Sequence, residues 1–143
     1  MGKRRKGRIL AFQALFAWET ADNKDEALKS LLDFSWSEKG DINDPFPRLL
    51  TAGTVENINA VDDMIRRHLV NWDFSRVNNA DKALLRLGVY ELLFRITPPR
   101  VAIDEAVDIA REYGTDDSYR FVNGVLDGIL KTLQYEGKEP SNE

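Results

Sequence analysis

The sequence predicts an all-α fold, a compact domain of about seven helices in which two small bundles share a buried central helix. Three observations lead there. Apolar residues recur at three- and four-residue steps over most of the 143 residues. One segment, Asn79 to Arg95, is apolar nearly all round, the pattern of a helix enclosed on every side. No stretch alternates apolar and polar residues as a half-buried strand would.

The elements follow in order. Ile9, Phe12 and Phe16, with Leu15 and Trp18, form the apolar stripe of a first helix. Asn23 is placed to cap a second, in which Leu28, Leu31 and Leu32 face inward. Ser37 to Asp44 (SEKGDIND) reads as a loop. Pro45 and Pro47 suit the first turn of a third helix, where a missing N–H matters little. That helix carries Leu49, Ala52, Ile58, Val61, Ile65 and Leu69 and is expected to run to Asn71, with Gly53 a tolerated weak point. Trp72 to Val77 (WDFSRV) reads as a short helical turn. In the central helix, Glu91 and Arg95 stand at i,i+4 in the favourable order, and Pro98-Pro99 ends the segment. The next helix presents Ile103, Ala106, Val107, Ala110 and Tyr113 on one face, with Gly114 as its C-terminal cap. Thr115-Asp116-Asp117-Ser118 offers cap oxygens and negative charge to a last helix built on Val122, Leu126, Ile129 and Leu133. Residues 1–143 read as one domain, with a basic arm at 1–8 and a polar tail at 136–143.

Charge is unevenly spread. The chain holds 20 Lys+Arg against 24 Asp+Glu, for a formal net charge of −4. Yet it begins MGKRRKGRILAFQALFAWE, with Lys3, Arg4, Arg5, Lys6 and Arg8 ahead of the first acidic residue, Glu19. Side chains as far as Trp18 sum to +5, which leaves −9 for the remainder. Such a start reads either as an interaction arm for nucleic acid or an anionic membrane, or as a solvated terminus that binds nothing. Cysteine is absent, which excludes disulfides, thiolate metal sites and cysteine catalysis and fits a reducing cytoplasm. No apolar run approaches the roughly 18 residues of a membrane span. Gln13 interrupts ILAFQALFAW, and no small-residue cleavage site follows it, so the segment does not read as a signal peptide.

Catalytic chemistry is poorly supplied. His68 is the single histidine and reads as a surface residue. A metal site needs several converging His, Cys or carboxylate ligands, and none is predicted. No glycine-rich phosphate loop follows a strand. The pairs Asp62-Asp63, Asp104-Glu105 and Asp116-Asp117 read as solvated helix surface. No enzyme activity and no cofactor are therefore expected. Gly124 and Gly128, at i,i+4 in the last helix, are expected to serve tight internal packing. Phe121 sits just off the apolar stripe, where an aromatic ring either joins the core or stacks a nucleobase.

Three motifs in this order resemble those of the NusB family of bacterial transcription antitermination factors. VAIDEAVDIAREYGTDDSYRFVNGVLDGIL is similar to the family's C-terminal signature, ADKALLRLGVYELLF to its central motif, and RRKGRILAFQALFAWE to its arginine-rich start. The resemblance implies an all-helical protein, built from two three-helix-like bundles, without a catalytic step or cofactor. It implies binding to boxA, a short single-stranded element of nascent ribosomal RNA transcripts, together with NusE, a small-subunit ribosomal protein. RNA polymerase and other Nus factors follow as indirect partners, and the family includes homodimers as well as monomers. Carried over by motif position, the RNA-binding candidates are Lys3, Arg4, Arg5, Lys6, Arg8, Gln13, Asp117, Arg120 and Phe121. The NusE-binding candidates are Phe16, Asp81 and Arg86. Gly7, inside the basic motif, is expected to keep the arm flexible. Phe16 stands where the family usually has tyrosine, and Asp104 where it usually has asparagine.

Two other readings compete. A similar domain fronts certain ribosomal RNA cytosine methyltransferases, but their chemistry needs a cysteine that this sequence lacks. The other is a non-catalytic interaction module whose basic start binds nothing specific.

Overall fold

The computed structural model describes residues 2–37 and 43–137, and among them every regular element is helical. The α-helices are Lys3–Glu19 (α1), Lys24–Leu31 (α2), Phe46–Glu56 (α3), Ile58–Arg66 (α4), Asn79–Leu93 (α5), Pro99–Tyr113 (α6) and Ser118–Tyr135 (α7). A 3₁₀ turn spans Phe74–Arg76, within the expected helical turn. Most of the SEKGDIND loop and the tail from residue 138 lie outside the described residues.

Helix α5 is the axis. Its residues from Ala83 to Leu92 are all buried, as a segment apolar on every side requires. Helices α1 and α3 pack against it and each other, and so do α6 and α7, while α4 touches both α5 and α7. One continuous core joins both groups, with Leu15, Leu50, Leu84, Ile103 and Leu126 among its fully buried side chains. Leu28, Leu31 and Leu32 of the α2 region are half-buried rather than enclosed, and Leu31 closes a small cluster of Leu10, Ala14 and Phe34. Phe16, counted in the stripe of the first helix, stands exposed.

Capping sets the helix starts. Asn23 Oδ1 accepts the Glu26 N–H at 3.0 Å, and Asn78 Oδ1 accepts that of Asp81 at 2.8 Å. Pro45 holds the cap position of α3 with Pro47 in its first turn. α7 departs from expectation: its cap residue, Asp117, accepts no capping bond through its side chain. Ser118 Oγ turns back instead and accepts the Thr115 N–H at 2.9 Å.

The third helix is not continuous to Asn71. It stops at Glu56, and Asn57 leaves helical geometry (φ −112°, ψ 23°) while its Nδ2 donates to Gly53 O at 2.8 Å. An asparagine side chain that hydrogen-bonds nearby backbone competes with the helical ladder, and the break lets α4 change direction. α4 then ends at Arg66, and Asn71 adopts a left-handed φ of 62°. The central segment also ends earlier than expected: Arg95 lies beyond α5 at φ 57°, so it does not stand in helical i,i+4 register with Glu91. His68 is half-buried rather than a plain surface residue. Its Nδ1 lies 2.9 Å from Met64 O and its Nε2 2.7 Å from Thr132 Oγ1, which ties α4 to α7.

Gly53 is required rather than tolerated. A Cβ there would sit 2.1 Å from Tyr90 Oη and 2.2 Å from Cζ, so the tyrosine ring occupies the space of a side chain. Gly53→Ala is expected to lower unfolding free energy by about 1–3 kcal/mol through overpacking. In a Tyr90→Leu background the alanine should lose most of that effect; urea unfolding of the four proteins of this cycle measures it.

Candidate nucleic-acid interface

The basic start is helix, not a free arm. α1 begins at Lys3, and the Lys6 N–H already donates to Gly2 O at 3.1 Å. Helical spacing sends the five cations in different directions. Lys3, Arg4 and Lys6 are exposed, and Arg4 lies over the Phe46 ring with its Cζ 4.0 Å from the ring centre. Arg5 is half-buried and turns to α6, where it pairs with Glu105 and, at 2.9 Å, with Asp108. The Glu105 hydrogen bond is the main reason that the guanidinium's pKa rises above its ordinary value.

Arg8 is a correction to the phosphate-binding set. Its side chain is 5% exposed and that of its partner Glu91 1%. Arg8 Nη2 donates to Glu91 Oε1 at 2.9 Å, and Nε donates to Oε2 at 3.1 Å. Thr97 Oγ1 accepts from Arg8 Nη2 at 3.1 Å and donates to Glu91 Oε1 at 2.6 Å. A carboxylate this deep must be paired, and Arg8 meets that need. Gly7 is a second correction, because it is buried where the Phe46 ring crosses α1. A Cβ at Gly7 would lie 2.9 Å from Phe46 Cδ2, so close packing, not flexibility, explains this glycine.

The start of α7 supplies the other elements. Phe121 is half-exposed, packs on the main core and faces the exposed Trp72 ring at a centroid distance of 5.9 Å. The ring thus joins the edge of the core and keeps part of its face in solvent. Phe121, Trp72, Arg76, Asp81 and Asp117 share a cavity of about 300 Å³. Arg120 is exposed and its Nε donates to Tyr119 Oη at 3.0 Å. Gly124 is exposed, and a Cβ added there would meet nothing within 4 Å, which corrects its assignment to internal packing. Gly128 does face inward, where a Cβ would lie 3.6 Å from His68 Cδ2.

Helix α6 joins the two ends. Asp108, reached by Arg5 of α1, lines a groove of about 540 Å³ together with Arg111, Tyr119, Arg120, Asn123 and Gly124. Arg5 of α1 and Tyr119 and Arg120 of α7 therefore border the same stretch of α6, while Phe121 lines the separate cavity beside Trp72. A sequence model of the NusB family matches residues 5–131. The chain belongs to the NusB family.

Relatives agree over almost the full length. The chain is 50% identical over 131 residues to the transcription antitermination protein NusB of Treponema denticola, covering 88% of this chain and 94% of the relative. It is 40% identical over 134 residues to that of Bacillus subtilis strain 168, covering 92% and 98%. Among solved structures, T. maritima NusB matches with a TM-score of 0.73 at 37% identity, over 95% of this chain and 99% of that one. A crystal structure of antitermination factors NusB and NusE in complex with dsRNA matches with a TM-score of 0.75 at 30% identity, over 92% and 99%.

The NusB fold disposes the remaining motif residues as follows. Gln13 is half-buried on α1, and Phe16 is exposed beside Phe12, at a centroid distance of 6.5 Å. Asp81 is buried at the start of α5, where its Oδ2 accepts from Asn78 Nδ2 at 3.0 Å. Arg86 is a third correction. It is buried, its Nε and Nη2 donate to the Asp62 carboxylate at 2.9 and 3.0 Å, and its Nη1 donates to Glu19 at 3.2 Å. That triad clamps α1, α4 and α5 together and leaves no guanidinium for a partner. Sequence reasoning missed Trp72, Arg111 and Tyr119. Trp72 carried a signal, since a tryptophan in a polar turn outside any apolar stripe has no core to fill.

Arg8→Ala is expected to destabilise the fold by about 3–5 kcal/mol, because it strands Glu91 as a buried unpaired charge. Lys3→Ala should stay within about 0.5 kcal/mol of the parent. Thermal and urea unfolding of the two variants separates the structural cation from the surface one.

Proposed function

We infer that this protein is a bacterial transcription antitermination factor that acts in the cytoplasm. It binds the boxA element of nascent ribosomal RNA transcripts together with NusE, and so helps to load the antitermination complex, with other Nus factors, on RNA polymerase. One observation carries the reading: in a NusB-family chain, the exposed cations at the start of α1 flank Arg5, which reaches Asp108 in a groove that the half-exposed Tyr119 and the exposed Arg120 line at the start of α7. The relatives named above are antitermination proteins, and the NusB of a matching structure is bound to NusE and dsRNA.

The physical division of labour is simple. Lys3, Arg4, Arg5 and Lys6 neutralise phosphates and release counterions, which supplies affinity without reading sequence. Base preference comes from unstacked bases on a rigid surface. Phe121 offers the stacking face, with Asp117, Arg120 and Gln13 as polar neighbours. The NusE-facing surface includes Phe16 and the neighbourhood of Asp81. No step makes or breaks a covalent bond, and no cofactor is needed.

Gel shift with boxA RNA, with and without NusE, tests the function. Specific retention that NusE strengthens is expected; equal competition by a scrambled RNA would favour the non-specific interaction module instead. With four phosphates neutralised, log K should fall against log salt with a slope near −2.8, about 0.7 for each phosphate on a single strand. Phe121→Ala should weaken RNA binding by about 1–3 kcal/mol if the ring stacks a base. A variant that binds normally, or loses its melting transition rather than its affinity, would remove Phe121 from the RNA surface.

A further inference from the structure

Two arginines from different helices converge on one carboxylate in the groove beside α6. Arg5 Nη2, from α1, lies 2.9 Å from Asp108 Oδ2, and Arg111 Nη1, one turn along α6, lies 3.6 Å from Asp108 Oδ1. Arg111 also rests on the Tyr119 ring, its Cζ 4.8 Å from the ring centre, and Arg120 flanks that ring at 5.3 Å. Guanidinium groups from α1, α6 and α7 thus border one open groove.

We propose that Asp108 holds the seat of an RNA phosphate: it keeps Arg5 and Arg111 at the spacing a phosphate will take, and it must yield them when RNA binds. Arg111 is on this view an RNA-binding residue, and Asp108 a built-in competitor. The inference rests on the RNA-binding reading above and adds a phosphate subsite to it.

Exposure favours the exchange. The side chains of Arg5, Asp108 and Arg111 are 31%, 41% and 60% exposed. Ion pairs in so much water are weak, because solvent and salt screen them. A phosphate brings full negative charge and several acceptor oxygens, which suits paired guanidinium donors. Arg5 does not swing free when Asp108 lets go, since Glu105 holds it from the other side. The groove lies between α6 and Arg120 and Asn123 of α7, and Arg5 of α1 meets it at Asp108, so a strand passing Asp108 would connect both ends of the proposed RNA surface. The enclosed Arg8–Glu91 pair can make no such exchange.

Affinity for boxA RNA, measured by fluorescence anisotropy across a salt series with the full chain, tests this. Asp108→Asn should bind about three- to ten-fold tighter at low salt. Arg111→Gln should bind more weakly at low salt and flatten the salt dependence, since Arg5 alone then holds the shared phosphate. The gain from Asp108→Asn should shrink in the Arg111→Gln background, since the two residues share one site. Asp104→Asn is the control: it removes the same charge from the same helix and the same groove, but Asp104 pairs with Arg100 at 4.0 Å, not with Arg5 or Arg111. A gain from Asp104→Asn as large as that from Asp108→Asn would reduce the effect to bulk charge and overturn the proposal. So would unchanged affinity in both Asp108→Asn and Arg111→Gln, with melting transitions intact, while Lys6→Gln weakens binding. A parent protein that retains no RNA overturns the functional reading, and this inference with it.

Discussion

The enclosed ion pair between Arg8 and Glu91 is the constraint on which the cationic face of α1 depends. Glu91 lies inside the most buried helix of the fold, where an unpaired carboxylate would be strongly unfavourable. Arg8 reaches it from α1, and Thr97 and Glu105 complete the set of partners. The pair therefore fixes the rotation of α1 about its own axis. With Arg8 turned inward, helical geometry turns Arg5 to the carboxylates of α6 and leaves Lys3, Arg4 and Lys6 in water. An ordinary requirement of burial decides which cations of the basic start are available to a ligand.

The far end of α1 repeats the device. Glu19 and Asp62 hold Arg86 of α5, so α1 is tied to the central helix by charge at both ends. Between these ties the helix packs through Ile9, Phe12, Leu15 and Trp18. Such pairs add little net stability over a well-packed apolar alternative, but they tolerate only one register. For a surface assembled from three helices, register is what matters. A helix rotated by one residue would carry Arg5 away from Asp108 and turn Phe16 toward the core.

Much of the fold was legible. Asn23 caps where cap chemistry favours asparagine, and the segment apolar on all sides is the buried axis. Failures came where a side chain answered to something distant. Gly53 read as a weak point in one long helix, yet Tyr90 from α5 fills the space above it, and Asn57 bends the chain nearby. Gly7 read as a source of flexibility, yet the Phe46 ring requires its missing side chain. His68 read as a surface residue, yet Thr132 of α7 lies within hydrogen-bond reach of its ring.

The sequence by itself determined the helical class, the order of most helices, the starts of α2 and α3, the poverty of catalytic groups and the cationic start, because each of these is a local property of neighbouring residues. Tertiary structure alone decided which arginines serve the fold and which face solvent. Arg5 and Arg8 are three residues apart and chemically identical, yet Arg8 meets a buried carboxylate 83 residues away, while Arg5 meets solvent-accessible ones on another helix. Burial and pairing of a charge depend on what the folded chain brings beside it, and local sequence does not encode that neighbour.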